Sequence, residues 1–328
     1  MTEDTEFTLA ELESAAETVY RVMPPTPQYA WPLLATHSGC DVWVKHENHT
    51  PIGAFKVRGG LVFMEELSRA GRLPKGFVTA TRGNHGQSIP FAAGRYGVPV
   101  TVVVPEGTGR EKNRCMEGWG ARLVVHGADF DAARLEAARL AEVEALEFVP
   151  PFHPALMKGV ATYALELFRA VAQLDTVYVP IGMGSGICGL IRTRDLLGLD
   201  TEVVGVVSSH APAFALSVAQ GQVVETESAR TFADGLACRV PMEQSLAIIR
   251  RGAARIVQVS DDEVAGAMRD LYAATHNVVE GAGAAAMAAL NQECGPQRGR
   301  RVAVIATGGN VDAEVFAEVL AGRTPAVA

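Results

Sequence analysis

The stretch Thr176-Val-Tyr-Val-Pro180-Ile-Gly182-Met-Gly184-Ser-Gly186-Ile-Cys-Gly189 decides how the rest of the chain is read. Its first half is a short, continuous apolar run, the pattern of a parallel strand buried on both faces. A glycine-rich turn follows, and then a helix-length segment over residues 187–197. Strand, turn and helix in succession form the repeating unit of an α/β protein. Closely spaced glycines at a helix start leave backbone amides free to hold an anion, above all a phosphate. The subset Gly184-x-Gly186-x-x-Gly189 also matches the dinucleotide fingerprint, which needs an acidic residue about 20 positions on, at the end of the next strand. That strand, residues 203–207, ends in Ser208-Ser209-His210 and offers no carboxylate to a ribose. A phosphate monoester is therefore preferred to a dinucleotide. No GxxxxGK[ST] occurs anywhere in the chain, so a P-loop is excluded.

The same alternation extends outward in both directions. Apolar runs at 42–44, 76–80, 101–104, 122–125, 176–180, 203–207, 256–259 and 302–306 read as strands. Helix-length segments lie at 59–70, 88–96, 130–146, 158–171, 187–197, 261–274 and 282–290. A first helix over 8–22 carries Leu9, Leu12, Ala16 and Val19 at helical spacing, and Pro24, Pro25 and Pro27 stop it. The expected fold is α/β, with two interleaved domains, each a mostly parallel sheet flanked by helices. No low-complexity linker or internal repeat divides the chain, and the tail 324–328 is expected to fray.

Composition bounds the function. The 328 residues are 48% hydrophobic and 20% charged, enough for a large core and against disorder. The net charge of −8 comes without a basic stripe, which argues against nucleic acid as a partner. The acidic start Met1-Thr-Glu-Asp-Thr-Glu-Phe is not a secretory signal, and the apolar runs are far too short to span a bilayer. The five cysteines form no CxxC pair and no HExxH is present, so reduced thiols in a cytoplasmic protein without a zinc site are expected.

Three further loops stand after a strand and before a helix. Gly53-Ala-Phe55-Lys56-Val-Arg58-Gly-Gly places a lysine at a helix start. There the macrodipole disfavours a cation, lowers the pKa and suits an amine that must react with a carbonyl. Phe55 stands beside it, ready to pack against a flat ligand. Thr81-Arg82-Gly83-Asn84-His85-Gly-Gln is a turn able to receive a carboxylate at a helix N-terminus. Thr307-Gly-Gly-Asn310 brings a hydroxyl to a strand's carboxyl end, where α/β sites form. An amine, an anion loop, a phosphate cradle and a hydroxyl together are what a pyridoxal phosphate site needs.

On these residues the sequence resembles the threonine/serine dehydratase family of fold-type II pyridoxal phosphate enzymes. That family also contains serine racemase and lies in the tryptophan synthase β superfamily. The family's K-x-E-N and [SA]-F-K-x-R-G stand here as Lys45-His-Glu47-Asn48 and Ala54-Phe-Lys-Val-Arg-Gly59. Its S-x-G-N-H, tetraglycine, A-D-G-L, E-P-A-G-A and S-G-G-N segments begin here at Thr81, Gly182, Ala233, Glu280 and Thr307. The order and spacing agree from about residue 26 to 312. The resemblance implies a large cofactor domain over 1–75 and 150–328, and a small mobile substrate domain over 76–149. It implies that Lys56 carries pyridoxal 5′-phosphate as a Schiff base and removes the substrate's α-proton. Phe55, Asn84, Gly182, Met183, Gly184, Ser185, Gly186, Glu280 and Thr307 then bind the cofactor: Phe55 beside the ring, Asn84 on the 3′-oxygen, the 182–186 amides on the phosphate, Thr307 at the ring nitrogen. Thr81, Arg82, Gly83, Asn84 and His85 face the substrate. The expected reaction is loss of water and then ammonia from threonine, serine or a bulkier β-hydroxy-α-amino acid such as phenylserine, in a homodimer. Alternatives are 3-hydroxyaspartate as substrate, a β-replacement synthase or a binding module without chemistry.

Departures from the family pattern carry information. Arg82 stands where serine racemase has the serine that reprotonates the opposite face, and a permanently charged group is a poor proton donor, so little racemisation is expected. Arg82 is also suited to a second carboxylate. The divalent-metal positions of some members fall on Val207 and Ala213, which cannot ligate a hard cation, so no metal is expected there. The chain ends soon after Asn310, and feedback control by a regulatory domain is not expected.

Overall fold

Continuous apolar runs become strands buried on both faces. In the computed structural model, which describes residues 5–327, all five residues of Val100–Val104 and all five of Thr176–Pro180 are buried. Ten strands are present among the described residues: β1 Gln28–Ala30, β2 Asp41–His46, β3 Phe77–Ala80, β4 Val100–Val104, β5 Arg122–Val125, β6 Glu147–Phe148, β7 Thr176–Pro180, β8 Glu202–Ser208, β9 Arg255–Val259 and β10 Arg301–Ala306. They form a six-stranded sheet in the order β1-β2-β10-β7-β8-β9 and a four-stranded sheet in the order β5-β4-β3-β6. Every pairing is parallel except that of β1 with β2. The α/β architecture with helix-flanked parallel sheets is thus as the sequence indicates. The smaller sheet is made wholly from residues 77–148, between segments of chain that build the larger one.

Helix Gly281–Gln297 packs into the larger sheet's core, and its first ten residues are all buried. Such a helix shows no polar stripe because no face of this part meets water. Capping boxes at Thr8/Glu11 and Ser260/Glu263 start helices Leu9–Tyr20 and Asp261–Thr275.

The differences from the sequence reading have local causes. β1 and β6, of three and two residues, are too short to show a run. Helix Arg110–Gly118 buries only Lys112 and Met116, so no apolar periodicity announces it. Helices Pro32–Ser38, Ala213–Gln220, Glu243–Gly252 and Ala313–Leu320 also went unread, each only two or three turns long. Helices expected from 59, 88 and 158 begin instead at Lys56, Asn84 and Pro154. The first two gain initial turns of polar and small residues, and the third starts on a proline, which suits a first helical position. The tail is not frayed where it is described: the Thr324 hydroxyl donates to Asp262, and Pro325 is buried. Residues 1–4 of the acidic start, and Ala328 of the tail, lie outside the described residues. No described helix is long and apolar enough to cross a membrane.

One polar feature of the core bears on the site. Arg58, with no exposed surface, donates from Nε to Glu47 Oε2 at 2.7 Å and from Nη1 to Glu166 Oε1 at 2.7 Å. Lys45 Nζ donates to Glu166 Oε2 at 2.5 Å and to the Thr26 carbonyl at 2.7 Å. Two cations and two carboxylates thus neutralise one another in the interior, as burial requires. Arg58 lies two residues after Lys56, so the quartet anchors the helix turn that carries it.

Candidate active site

Strand order brings distant parts of the chain side by side. β10 pairs with both β2 and β7, so the loops after these three strands adjoin at their carboxyl ends. The loop after β2 leads to Lys56, the loop after β10 carries Thr307 and the loop after β7 carries the glycines. The loop after β3, with Thr81 to His85, reaches the same place from the smaller sheet. All fourteen positions singled out in the sequence line one cavity.

Lys56 is the first residue of helix Lys56–Arg69. Its neighbours are tied down on several sides. The Phe55 amide donates to the Thr307 carbonyl at 3.0 Å, Ala54 bridges to Gly308, and the Ser88 hydroxyl donates to the Lys56 carbonyl at 2.6 Å. Lys56 Nζ donates to Ser185 Oγ at 2.9 Å and lies 5.0 Å from the centroid of the Phe55 ring. Burial pulls the amine's pKa down to about 8. The lowering expected from the sequence is present, and removal from water is a cause that position at a helix start does not reveal.

Gly184, at φ +96°, caps helix Ser185–Leu196 in a conformation that favours glycine. A Cβ on Gly182 would come within 2.2 Å of the Gly235 carbonyl oxygen. Tyr163 donates its hydroxyl to the Gly186 carbonyl at 2.9 Å and fixes the far side of the turn. The first amides of such a helix lack intrahelical partners. Ser185 Oγ accepts from Lys56 Nζ, which leaves its hydroxyl hydrogen available to an anion in the turn.

The loop after β3 closes on itself, the Gly83 amide donating to Thr81 Oγ1 at 2.9 Å. Asn84 donates from Nδ2 to Glu280 Oε1 at 2.6 Å, and its Oδ1 accepts from Asn310 Nδ2 at 2.8 Å. Both ends of that amide are therefore oriented. Burial, followed by the Lys56 charge, pushes His85 down to about 3, so its ring is neutral. Its Nε2 is buried without a hydrogen-bond partner. Thr307 is buried in the cavity wall.

The sequence reading missed Lys112. From helix Arg110–Gly118 it reaches across to the larger sheet's side of the cavity, with Nζ 2.9 Å from Asp234 Oδ2 and 3.8 Å from Glu280 Oε2. Against burial, which lowers it, these carboxylates hold the Lys112 pKa above its ordinary value. Burial raises that of Glu280. Asp234 and Glu280 were visible as motif letters; their cation was not, because its helix has no apolar face. Beside this group stands Arg82, which lines the cavity, makes no hydrogen bond or ion pair with any described residue and keeps a buried Nε without a partner. Among the described residues, no group of three or more His, Cys, Asp and Glu is placed to hold a metal.

Comparison with known proteins gives a consistent result. The family described as "Pyridoxal-phosphate dependent enzyme" matches residues 19–308. An L-threonine ammonia-lyase of Geobacter sulfurreducens is 36% identical over 284 residues, covering 86% of this chain and 70% of the relative. A threonine dehydratase of Nicotiana attenuata is 32% identical over 304 residues, or 92% of this chain; the chain spans only 50% of that relative's length. The solved structure of the processed form of threonine deaminase isoform 2 from Solanum lycopersicum superposes with a TM-score of 0.87 at 30% identity, covering 98% of this chain and 96% of that one.

Proposed function

The chain belongs to the pyridoxal-phosphate dependent enzymes, and on that premise we propose that it is a lyase acting on a β-hydroxy-α-amino acid. It removes water by β-elimination, and hydrolysis of the resulting enamine releases a 2-oxo acid and ammonia. The observation that carries this reading is a half-buried amine, Lys56, facing a glycine turn across one cavity.

The residues fit the cofactor. Lys56 has the lowered pKa that a carbonyl-reactive amine needs. The 182–186 turn has no room for a Cβ at Gly182, and its helix start suits a phosphate. His85 keeps a buried ring nitrogen free of protein partners. When bound, pyridoxal phosphate draws electrons away from the substrate's Cα and so acidifies its C–H bond.

The rest is the work of the chain's own groups. Lys56 Nζ takes the α-proton, and a pKa near 8 keeps part of it unprotonated at neutral pH. Ser185 orients that nitrogen. Phe55 would pack beside the cofactor ring, and Asn84, held by Glu280 and Asn310, would hold its 3′-oxygen. Thr307, a neutral hydroxyl in the cavity wall, would hold the ring nitrogen without a charge to keep it protonated, which would favour elimination over transamination. The amides of residues 81–85, with the side chains of Thr81, Asn84 and His85, hold the substrate's α-carboxylate at the start of helix Asn84–Ala93.

Threonine, serine and bulkier analogues such as phenylserine are within this reading. Arg82 in place of a serine speaks for little racemisation. The turn Arg82-Gly-Asn-His85 speaks against β-replacement, and the half-buried, pKa-shifted Lys56 speaks against a binding module without chemistry. We further propose a cytoplasmic homodimer in which the unit at 76–149 moves on substrate binding. The test is a panel of 3-hydroxy amino acids assayed for 2-oxo acid and ammonia, beside the visible absorbance of the purified protein. Turnover with a band that is lost in Lys56→Ala is expected; a band that survives Lys56→Ala refutes the assignment.

A further inference from the structure

We propose that Arg82 is a specificity residue for a second carboxylate, so that the preferred substrate is a β-hydroxy-α-amino dicarboxylic acid of the 3-hydroxyaspartate type. The inference rests on the lyase reading above and names the substrate class for the same site.

The argument is one of charge matching. Three cationic side chains line the cavity: Lys56, Lys112 and Arg82. Lys56 is the reactive amine. Lys112 is matched by Asp234 at 2.9 Å and Glu280 at 3.8 Å. Arg82 has no counter-charge: no described carboxylate lies within an ion-pair distance, and Nε, shut off from solvent, donates to nothing. A buried donor without an acceptor costs about 1–3 kcal/mol, more when charged, and a guanidinium cannot escape by losing its proton. The other anions expected in the cavity already have holders. The cofactor phosphate has the 182–186 turn, and the substrate α-carboxylate has the amides at the start of helix Asn84–Ala93.

What remains for Arg82 is an anion on the substrate's side chain. A carboxylate is the group whose planar pair of oxygens the guanidinium fork matches. Arg82 is next in sequence to Gly83, and it also borders an adjoining cavity lined by Gly109, Asp312 and Pro325. The site therefore continues past the α-carboxylate loop. The reaction balances without a further reagent: the Cβ hydroxyl and Cα hydrogen leave as water, and the enamine tautomerises and takes up water. Ammonia and a 2-oxo dicarboxylate are released.

Two measurements on the cofactor-loaded protein test this. The first is the ratio of kcat/KM for 3-hydroxyaspartate to that for threonine. The expected ratio is at least tenfold in favour of the dicarboxylate. It falls on the order of a hundredfold in Arg82→Ala, as for a charge-assisted pair of about 3 kcal/mol, and is partly restored in Arg82→Lys. The second is calorimetric binding of succinate against butyrate, the carbon skeletons of the two substrates, which needs no turnover. Succinate is expected to bind at least tenfold more tightly, with the advantage lost in Arg82→Ala and partly kept in Arg82→Lys. An equal effect of Arg82→Ala on both ligands means that Arg82 serves the α-carboxylate, and overturns the proposal. Retained succinate preference without turnover of any β-hydroxy amino acid rejects the lyase reading but leaves the carboxylate subsite standing.

Discussion

Two charged groups of residues flank Lys56, and they are built on opposite principles. Behind it, Lys45, Glu47, Arg58 and Glu166 are at most 4% exposed in their side chains, and each charge meets its opposite. In front, Lys112, Asp234 and Glu280 are 10%, 31% and 6% exposed, and Arg82 and His85 each keep a buried nitrogen unsatisfied. A protein that completes its hydrogen bonds in one interior cluster and leaves them incomplete in the next has reserved the second for something it binds. The first cluster belongs to stability and the second to recognition.

That division is open to breakage. The largest expected effect is in the rear group. Arg58→Met leaves Glu47 buried without a cation and Glu166 with Lys45 alone, and should cost about 3–5 kcal/mol of folding stability, read as a shift in urea midpoint. Burial raises the Glu166 carboxyl, but Arg58 and Lys45 outweigh it and hold its pKa below the ordinary value. Its contribution is thus complete above the unfolded-state pKa and is lost as pH falls through the lowered folded value. The variant, in which Lys45 still pairs with Glu166, should accordingly show a smaller acid-side loss.

Lys112→Met tests the front group. It should raise KM about tenfold, the effect of one charge-assisted contact, with much less loss of stability than Arg58→Met because Asp234 is reached by water. Equal losses of stability in the two variants would erase the distinction. The mildest probe changes no residue. Cofactor-free protein mixed with pyridoxal phosphate should take it up faster as pH rises, by up to tenfold per unit below about pH 8, and level off above. The sign follows from the amine's need to be unprotonated. A rate still climbing through pH 10 would show that burial does not depress Lys56.

Much of the front group was legible in the sequence, and little of the rear. Lys56, Thr307 and the 182–186 turn follow apolar runs at strand ends, where periodicity and glycine announce a loop. Glu47 and Arg58 were readable only as letters in motifs, and Glu166 as one acid within a helix. Their pairing depends on contacts 108 positions apart in the chain, Arg58 with Glu166, which no local pattern encodes. Lys112 escaped for another reason: only two residues of its helix are buried, so the segment reads as polar loop. The desolvation of Lys56 was not legible, because a dipole can be inferred from position in a helix, whereas burial is known only when the neighbouring loops are in place.

The position of β10 has a consequence for the order in which this protein can become active. β10 begins at residue 301 yet lies between β2 and β7, and so separates Lys56 from the phosphate turn in sheet order. During synthesis, chain emerges from the amino end first. The smaller sheet, complete by residue 148, can pair its own strands early, while β2 and β7 wait for a partner that begins at residue 301. Catalytic competence is therefore coupled to the synthesis of β10, and a nascent chain stalled before it would carry every charged residue of both clusters and still have no active site.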